Sequence, residues 1–175
     1  MAFTLPFNSA SPLDNAMFDC VLLQNDRGTP ANNKTDRKSC SGGTVFLAGV
    51  PLSFWSKTQS NIALSSGEAE LTGSVKAISE CLSVLNLWEE LFNQKLPATV
   101  HVDSSACKGM LLRAGTGKVK HLSTKQFWSQ AALEAHGITV FKIPRAENCA
   151  DLMTHSLAQH SALPHLRKMG FHFTD

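Results

Sequence analysis

The spacing of apolar residues changes character near residue 65. Before it, short apolar runs alternate with polar and turn-forming stretches; after it, apolar positions recur in steps of three and four. Residues 1–17 (MAFTLPFNSASPLDNAM) mix Pro, Ser and Asn without a period and read as an irregular leader. Phe18–Leu23 is an apolar run suited to a strand, and Asn25–Gly43 collects the Gly, Pro, Asn, Asp and Ser of a loop. Thr44–Val50 and Leu52–Lys57 are rich in β-formers around Gly49-Val50-Pro51, which predicts a hairpin, and Asn61–Leu64 is a candidate third strand.

Ser65-Ser66-Gly67-Glu68 has the form of a capping box, with Ser65 as N-cap and Glu68 three residues on. Leu71, Val75, Ile78, Leu82, Leu85 and Trp88 then mark one face of a long helix, and Pro97 closes the unit. Thr99–Val102 is a short strand, while Ser104–Arg113 and Leu122–His136 read as helices ended by Gly115 and Gly137. Thr139–Ile143 returns to strand, Pro144 breaks it, Glu147–Ser156 looks helical, and His160–Phe173 has room for one more helix. Hairpins first and crossovers later predict an α/β domain over residues 18–157, with a mixed sheet of about five strands flanked by helices. Residues 158–175 form a tail.

Composition narrows the class only a little. A chain of 175 residues, 43% hydrophobic, suits one domain with a real core. Sixteen basic against fourteen acidic residues give a net charge of +2, so any nucleic-acid contact requires local clustering of charge. The five cysteines (Cys20, Cys40, Cys81, Cys107, Cys149) never form C-x-x-C, and neither a secretory signal nor a run of ~20 apolar residues is present. These features predict reduced thiols and a soluble cytoplasmic or nuclear protein with no membrane partner.

The candidate chemistry lies in the placement of acids. Glu70 falls in the first turn of the long helix, Asp103 at the end of a strand, Asp151 in a helical first turn, and Asp26 just beyond Val21-Leu22-Leu23. Strand ends and helix starts can converge on one rim of a sheet. Carboxylates gathered there repel one another, and divalent cations relieve the repulsion. Each position alone has an ordinary explanation, in the helix dipole or in turn chemistry.

The surrounding words are more specific. Trp55-Ser56-Lys57-Thr58-Gln59 followed by Ala63-Leu64-Ser65-Ser66-Gly67-Glu68-Ala69-Glu70-Leu71 resembles the "S-K-x-Q…A-L-S-S-x-E-A-E" signature of the RNase H domain at the C-terminal end of copia-type retrotransposon polyproteins. Thr35-Asp36-Arg37-Lys38-Ser39-Cys40-Ser41-Gly42-Gly43 is similar to its "T-R-K-S-x-S-G" segment. Val102-Asp103-Ser104-Ser105-Ala106, Val119-Lys120-His121-Leu122 and Glu147-Asn148-Cys149-Ala150-Asp151-Leu152 match three further motifs in the family's order. Together they cover about residues 35 to 157.

This resemblance implies an RNase H-like fold and hydrolysis of the RNA strand of an RNA–DNA hybrid, with a reverse transcriptase portion as neighbour in a polyprotein, in a virus-like particle or the cell interior. It implies a pair of Mg²⁺ ions, with Mn²⁺ as substitute, held by Glu70, Asp103, Asp151 and a fourth acid. Glu70 takes that role rather than Glu68, whose place in the capping box is structural. The fourth acid departs from the pattern: the family's "D-x-D-W-A-G" is replaced by Gln24-Asn25-Asp26-Arg27-Gly28-Thr29-Pro30. Asp26 fits best, while Asp19 would lie inside the strand and Asp36 inside the loop. The histidine that many RNase H enzymes carry before the last Asp is also absent from Lys142-Ile143-Pro144-Arg145-Ala146.

Ser65, Ser104, Lys118, Lys120, His121 and Lys125 are the candidate nucleic-acid contacts, the lysines through phosphates. Gly115-Thr116-Gly117-Lys118 lacks the flanking residues of a P-loop, His155, His160 and His165 lack zinc spacing, and the three tryptophans read as core. Two alternatives to a hybrid-cleaving enzyme are a non-catalytic nucleic-acid-binding or polyprotein-interaction module that has lost the first acid, and an integrase-type transferase. The order Asp, Asp, late Glu expected of the transferase is not the order found.

Overall fold

A two-residue turn, Ala48-Gly49, joins the first hairpin. Both residues have positive φ (50° and 78°), the conformation that matches the twist of adjoining strands. The turn lies one residue earlier than predicted, because Val50 and Pro51 already pair with Leu47 and Phe46. Pro51 is tolerated there because its strand is at the sheet edge. The computed structural model describes the backbone of residues 18–22 and, beyond them, residues 38–113, 123–154, 157–171 and 173.

Five strands form one sheet: β1 (Phe18–Leu22), β2 (Cys40–Leu47), β3 (Val50–Thr58), β4 (Ala98–Val102) and β5 (Thr139–Lys142), in the order β3-β2-β1-β4-β5. The pairs β1·β2 and β2·β3 are antiparallel, and β1·β4 and β4·β5 are parallel. The expected mixed sheet, with its first three strands antiparallel, is therefore present. Asn61–Leu64 is not a strand. Its residues form the exposed approach to helix α1 (Ser66–Phe92).

The remaining helices are α2 (Ser105–Leu112), α3 (Ser123–Ala135), α4 (Asp151–Thr154) and α5 (Gln159–Lys168). The single helix expected over Glu147–Ser156 is instead a 3-10 turn, Arg145–Glu147, followed by the one-turn α4. Gln159–Lys168 supplies the helix of the tail, and the Met169 that follows it is buried with Phe46 and Cys149.

One sheet face carries the main core, where Val45, Val100, Val102 and Val140 meet Leu71, Ile78, Cys81 and Leu85 of α1 and Leu111 and Leu133 of α2 and α3. The buried stripe of α1 is shifted from the predicted one. Ser74, Ala77 and Cys81 are fully buried, whereas Val75, Leu82 and Trp88 are half-buried. Small side chains let the helix lie close to the sheet, and counting only large apolar residues overlooks them. Trp128 is another correction: it is 41% exposed, because α3 buries Gln126, Ser129, Ala132 and Leu133 instead. Gln126 is accommodated by donating from Nε2 to the Met110 carbonyl at 2.9 Å, which ties α3 to α2.

Candidate metal centre

Three elements bring Glu70, Asp103 and Asp151 toward one rim of the sheet, and each is fastened by residues of the recognised motifs. Helix α1 starts at Ser65, whose Oγ accepts from the Glu68 N–H at 3.1 Å. Glu68 Oε2 accepts from the Leu64 N–H at 2.8 Å, so Glu68 closes the helix start. Gln59 is buried, and its Nε2 donates to Ser41 Oγ (2.6 Å) and to the Ala69 carbonyl (2.7 Å). That side chain pins the first turn of α1, next to Glu70, onto β2.

Asp103 follows the last residue of β4, and Ser104 caps α2 by accepting from the Cys107 N–H at 3.2 Å. The Ser104 hydroxyl also serves the Glu70 carboxylate. Asp151 opens α4, is 5% exposed, and accepts at Oδ2 from Arg145 Nε at 3.3 Å. Asn148 is fully buried. Its Oδ1 accepts from the Ala150 N–H at 3.1 Å, while its side chain hydrogen-bonds the Asp103 carboxylate. Asn148 thus links the segment that carries Asp151 to the end of β4.

The electrostatics report the same convergence. Burial pushes the Glu70 carboxyl above the ordinary carboxylate range; the Ser104 hydrogen bond opposes this, and the charge of Asp103 adds to it. Burial likewise raises Asp103, reinforced by Asp151, with Asn148 and Arg145 acting in the opposite direction. Beneath them Cys107 lies 3.0 Å from Ser74 Oγ, and burial pushes its thiol up to about 12, with Glu70 and Asp103 contributing. Asp103 therefore acts electrostatically on Glu70, and Asp151 on Asp103.

The donors of this cluster are all oxygens, the chemistry that suits a hard divalent cation such as Mg²⁺. Glu70 Oε2 is buried and has no hydrogen-bond partner among the described residues, so it is a lone pair suited to a cation. Among the described residues, no three His, Cys, Asp or Glu side chains are drawn together to ligand distance, and Asp151 faces Arg145.

Of the other sequence candidates, Ser65 and Ser104 are helix caps, and Lys125 on α3 donates to Thr72 Oγ1 at 3.5 Å across the cleft beside α1. Asp26, Lys118, Lys120 and His121 lie outside the described residues, as does Asp36. Asp19 lies within β1, level with Thr99 in the parallel ladder. Thr99 is four residues before Asp103, about 13 Å along a strand, so Asp19 is remote from the rim. Val21 stands level with His101, and a first-strand carboxylate reaching Asp103 must come from beyond it. Gln59, Arg145 and Asn148 hold the site through contacts between separate segments, which residue type and spacing alone do not reveal. All three stand inside or beside the quoted motifs, which was the available signal.

No family model matches the chain. The chain is 28% identical over 128 residues to a retrovirus-related Pol polyprotein from a Nicotiana tabacum transposon; the match covers 71% of this chain and 9% of the relative. The chain thus spans under a tenth of the length of that curated relative. Among solved structures, the N-terminal RNase H domain of a Mycobacterium tuberculosis protein superposes with a TM-score of 0.55 at 15% identity, covering 87% of this chain and 97% of that one. RNase H1 from Halobacterium salinarum gives 0.53 at 14% identity, covering 85% and 97%. An RNase H1 isolated from compost gives 0.53 at 14%, covering 79% and 91%. The chain has the RNase H-like fold, and its sequence similarity runs to the Pol polyprotein of a retrotransposon.

Proposed function

We propose that this domain is a divalent-metal-dependent ribonuclease H that hydrolyses the RNA strand of RNA–DNA hybrids, working inside the cell beside the reverse transcriptase portion of a retrotransposon polyprotein. The observation that carries the reading is that Asp103 acts electrostatically on Glu70, and Asp151 on Asp103, across one rim of an RNase H-like sheet. Like charges held partly out of water are costly unless a cation offsets them, and phosphodiester hydrolysis uses such cations. In this reading Glu70, Asp103 and Asp151, joined by Asp26, hold the cations. When bound, a pair of Mg²⁺ ions, or Mn²⁺ in their place, would supply the charge neutralisation that in-line displacement at phosphorus requires.

The chain's own residues have supporting tasks. Ser104 orients the Glu70 carboxylate, Asn148 holds Asp103, and Gln59 fixes the helix start that carries Glu70. Lys125, with Lys118, Lys120 and His121, is suited to phosphates of the hybrid, whose shape and 2′-hydroxyls rather than base sequence would be read. The test is cleavage of a labelled RNA–DNA hybrid with Mg²⁺ against EDTA. Metal-dependent cutting of the RNA strand supports the reading, and activity that survives Asp103→Asn contradicts it.

One observation favours a second reading, a hybrid-binding module that does not cut. Asp151 Oδ2 already accepts from Arg145 Nε at 3.3 Å, so a cation of the protein itself engages a carboxylate that a metal ion would need. Hybrid binding without cleavage in either Mg²⁺ or Mn²⁺ would select this alternative.

A further inference from the structure

Arg145 opens the 3-10 turn between β5 and α4, six residues before Asp151. The turn is fixed by hydrogen bonds from the Glu147 N–H to the Pro144 carbonyl (2.9 Å) and from the Asn148 N–H to the Arg145 carbonyl (3.0 Å). Lys168 Nζ adds a bond to the Glu147 carbonyl at 3.0 Å. The backbone of Arg145 is therefore held, while its side chain is 59% exposed. Its Nε donates at 3.3 Å to Oδ2 of Asp151, whose side chain is only 7% exposed, and its charge also acts on Asp103. One surface guanidinium thus offsets two carboxylates of the cluster.

We propose that Arg145 is a built-in counter-cation of the acidic rim, holding Asp151 while no divalent ion is bound and yielding its place when one enters. The inference rests on the metal-binding reading above. The physical reason is competition for one carboxylate. A divalent ion between Asp103 and Asp151 would repel a guanidinium bonded to Oδ2, and both cations want the same oxygen. Because the arginine side chain lies at the surface, it leaves without repacking the core. The coupling is reciprocal: whatever the pair adds to the stability of the metal-free domain is subtracted from its affinity for the ion. Arg145 is a positioning residue in this scheme, acting through Asp151.

Thermal unfolding of the wild-type domain, Arg145→Gln and Arg145→Lys, each in EDTA and across a Mg²⁺ titration, tests the inference without reference to activity. Arg145→Gln should melt below wild type in EDTA and bind Mg²⁺ roughly three- to tenfold more tightly. The difference in melting temperature should close as Mg²⁺ saturates the site. Arg145→Lys, which keeps the charge and loses the fork, should fall between the two. An equal loss of stability with and without Mg²⁺ would make the ion pair merely structural and overturn the inference. Weaker Mg²⁺ binding by Arg145→Gln would overturn it as well, since Arg145 would then be aligning Asp151 for the ion. If wild type gains no stability from Mg²⁺, the metal-binding reading and the inference fall together; if it does gain and Arg145→Gln matches it throughout, only the inference falls.

Discussion

Gly42→Ala should disturb the metal centre through α4, the turn that carries Asp151. Gly42 lies in β2 directly beneath α4, and a Cβ added there would stand 2.6 Å from Met153 Cβ, 2.8 Å from Thr154 Cγ2 and 3.3 Å from the Ala150 carbonyl oxygen. Two of these are a main-chain oxygen and a Cβ fixed to the main chain, so a change of rotamer cannot relieve the contact. The shortest falls short of ordinary carbon–carbon separation by roughly an ångström, so α4 must move outward by about that much or the strand must yield. Overpacking of this kind costs about 1–3 kcal/mol. Because Asp151 stands in the single turn of α4, the same displacement draws its carboxylate away from Asp103. Urea denaturation of Gly42→Ala should show the loss of stability, and the Mg²⁺-induced rise in melting temperature should shrink as well. Gly109→Ala is the control: nothing lies within 4 Å of a Cβ there, and Ala is favoured over Gly within a helix by about 1 kcal/mol. A Gly42→Ala domain as stable as wild type, with an unchanged Mg²⁺ response, would refute the claim that close approach of α4 to β2 sets the position of Asp151.

Leu71→Ala, at a fully buried position of α1 against the sheet, should lower unfolding free energy by about 2–5 kcal/mol in urea, with Leu82→Ala costing less because Leu82 is only half-buried. Glu68→Ala should remove the bond to the Leu64 N–H and cost stability on the order of 1 kcal/mol by chemical denaturation, leaving Mg²⁺ affinity unchanged. Glu70 and Asp103 carry folded-state pKa values above their unfolded ones, so between those values the folded domain binds more protons than the unfolded chain. Metal-free stability therefore falls as pH rises through that window, the reverse of the usual salt-bridged carboxylate. Asp103→Asn should flatten this fall in EDTA, raise stability at neutral pH and reduce the gain from Mg²⁺, all measurable by thermal melts across pH.

Elements with strong local signals were legible in the sequence. The capping box at Ser65 and Glu68, the hairpin near Gly49 and the strand preceding Asp103 depend on nearby residues and are present, although β2 begins at Cys40, inside the stretch expected to be loop. Features that depend on distant partners were not legible. The true inner face of α1 is set by how closely the sheet allows Ser74, Ala77 and Cys81 to approach, and no period of large apolar residues encodes that. Gln126 is buried where a helix reading would expose it, because a carbonyl at the end of α2 receives its amide. At the site, the elements carrying Glu70, Asp103 and Asp151 could be placed from strand ends and helix starts. The side chains that hold them, Gln59, Asn148 and Arg145, act through contacts across separate segments and carried no assignment in the sequence reading. By contrast, the position of Asp19 inside the strand is legible from the apolar run around it, and the β1·β4 register places it level with Thr99.

The most direct test of the account is a cleavage assay on an RNA–DNA hybrid labelled in its RNA strand, comparing wild type with Glu70→Gln, Asp103→Asn and Asp151→Asn in Mg²⁺, in Mn²⁺ and in EDTA. The account predicts cutting of the RNA strand by wild type in either metal, none in EDTA, and loss of at least a hundredfold in each variant, as expected when a ligand of a two-metal site is removed (on the order of 3 kcal/mol of transition-state stabilisation). Cleavage unaffected by any of the three substitutions, or equally strong in EDTA, would contradict it.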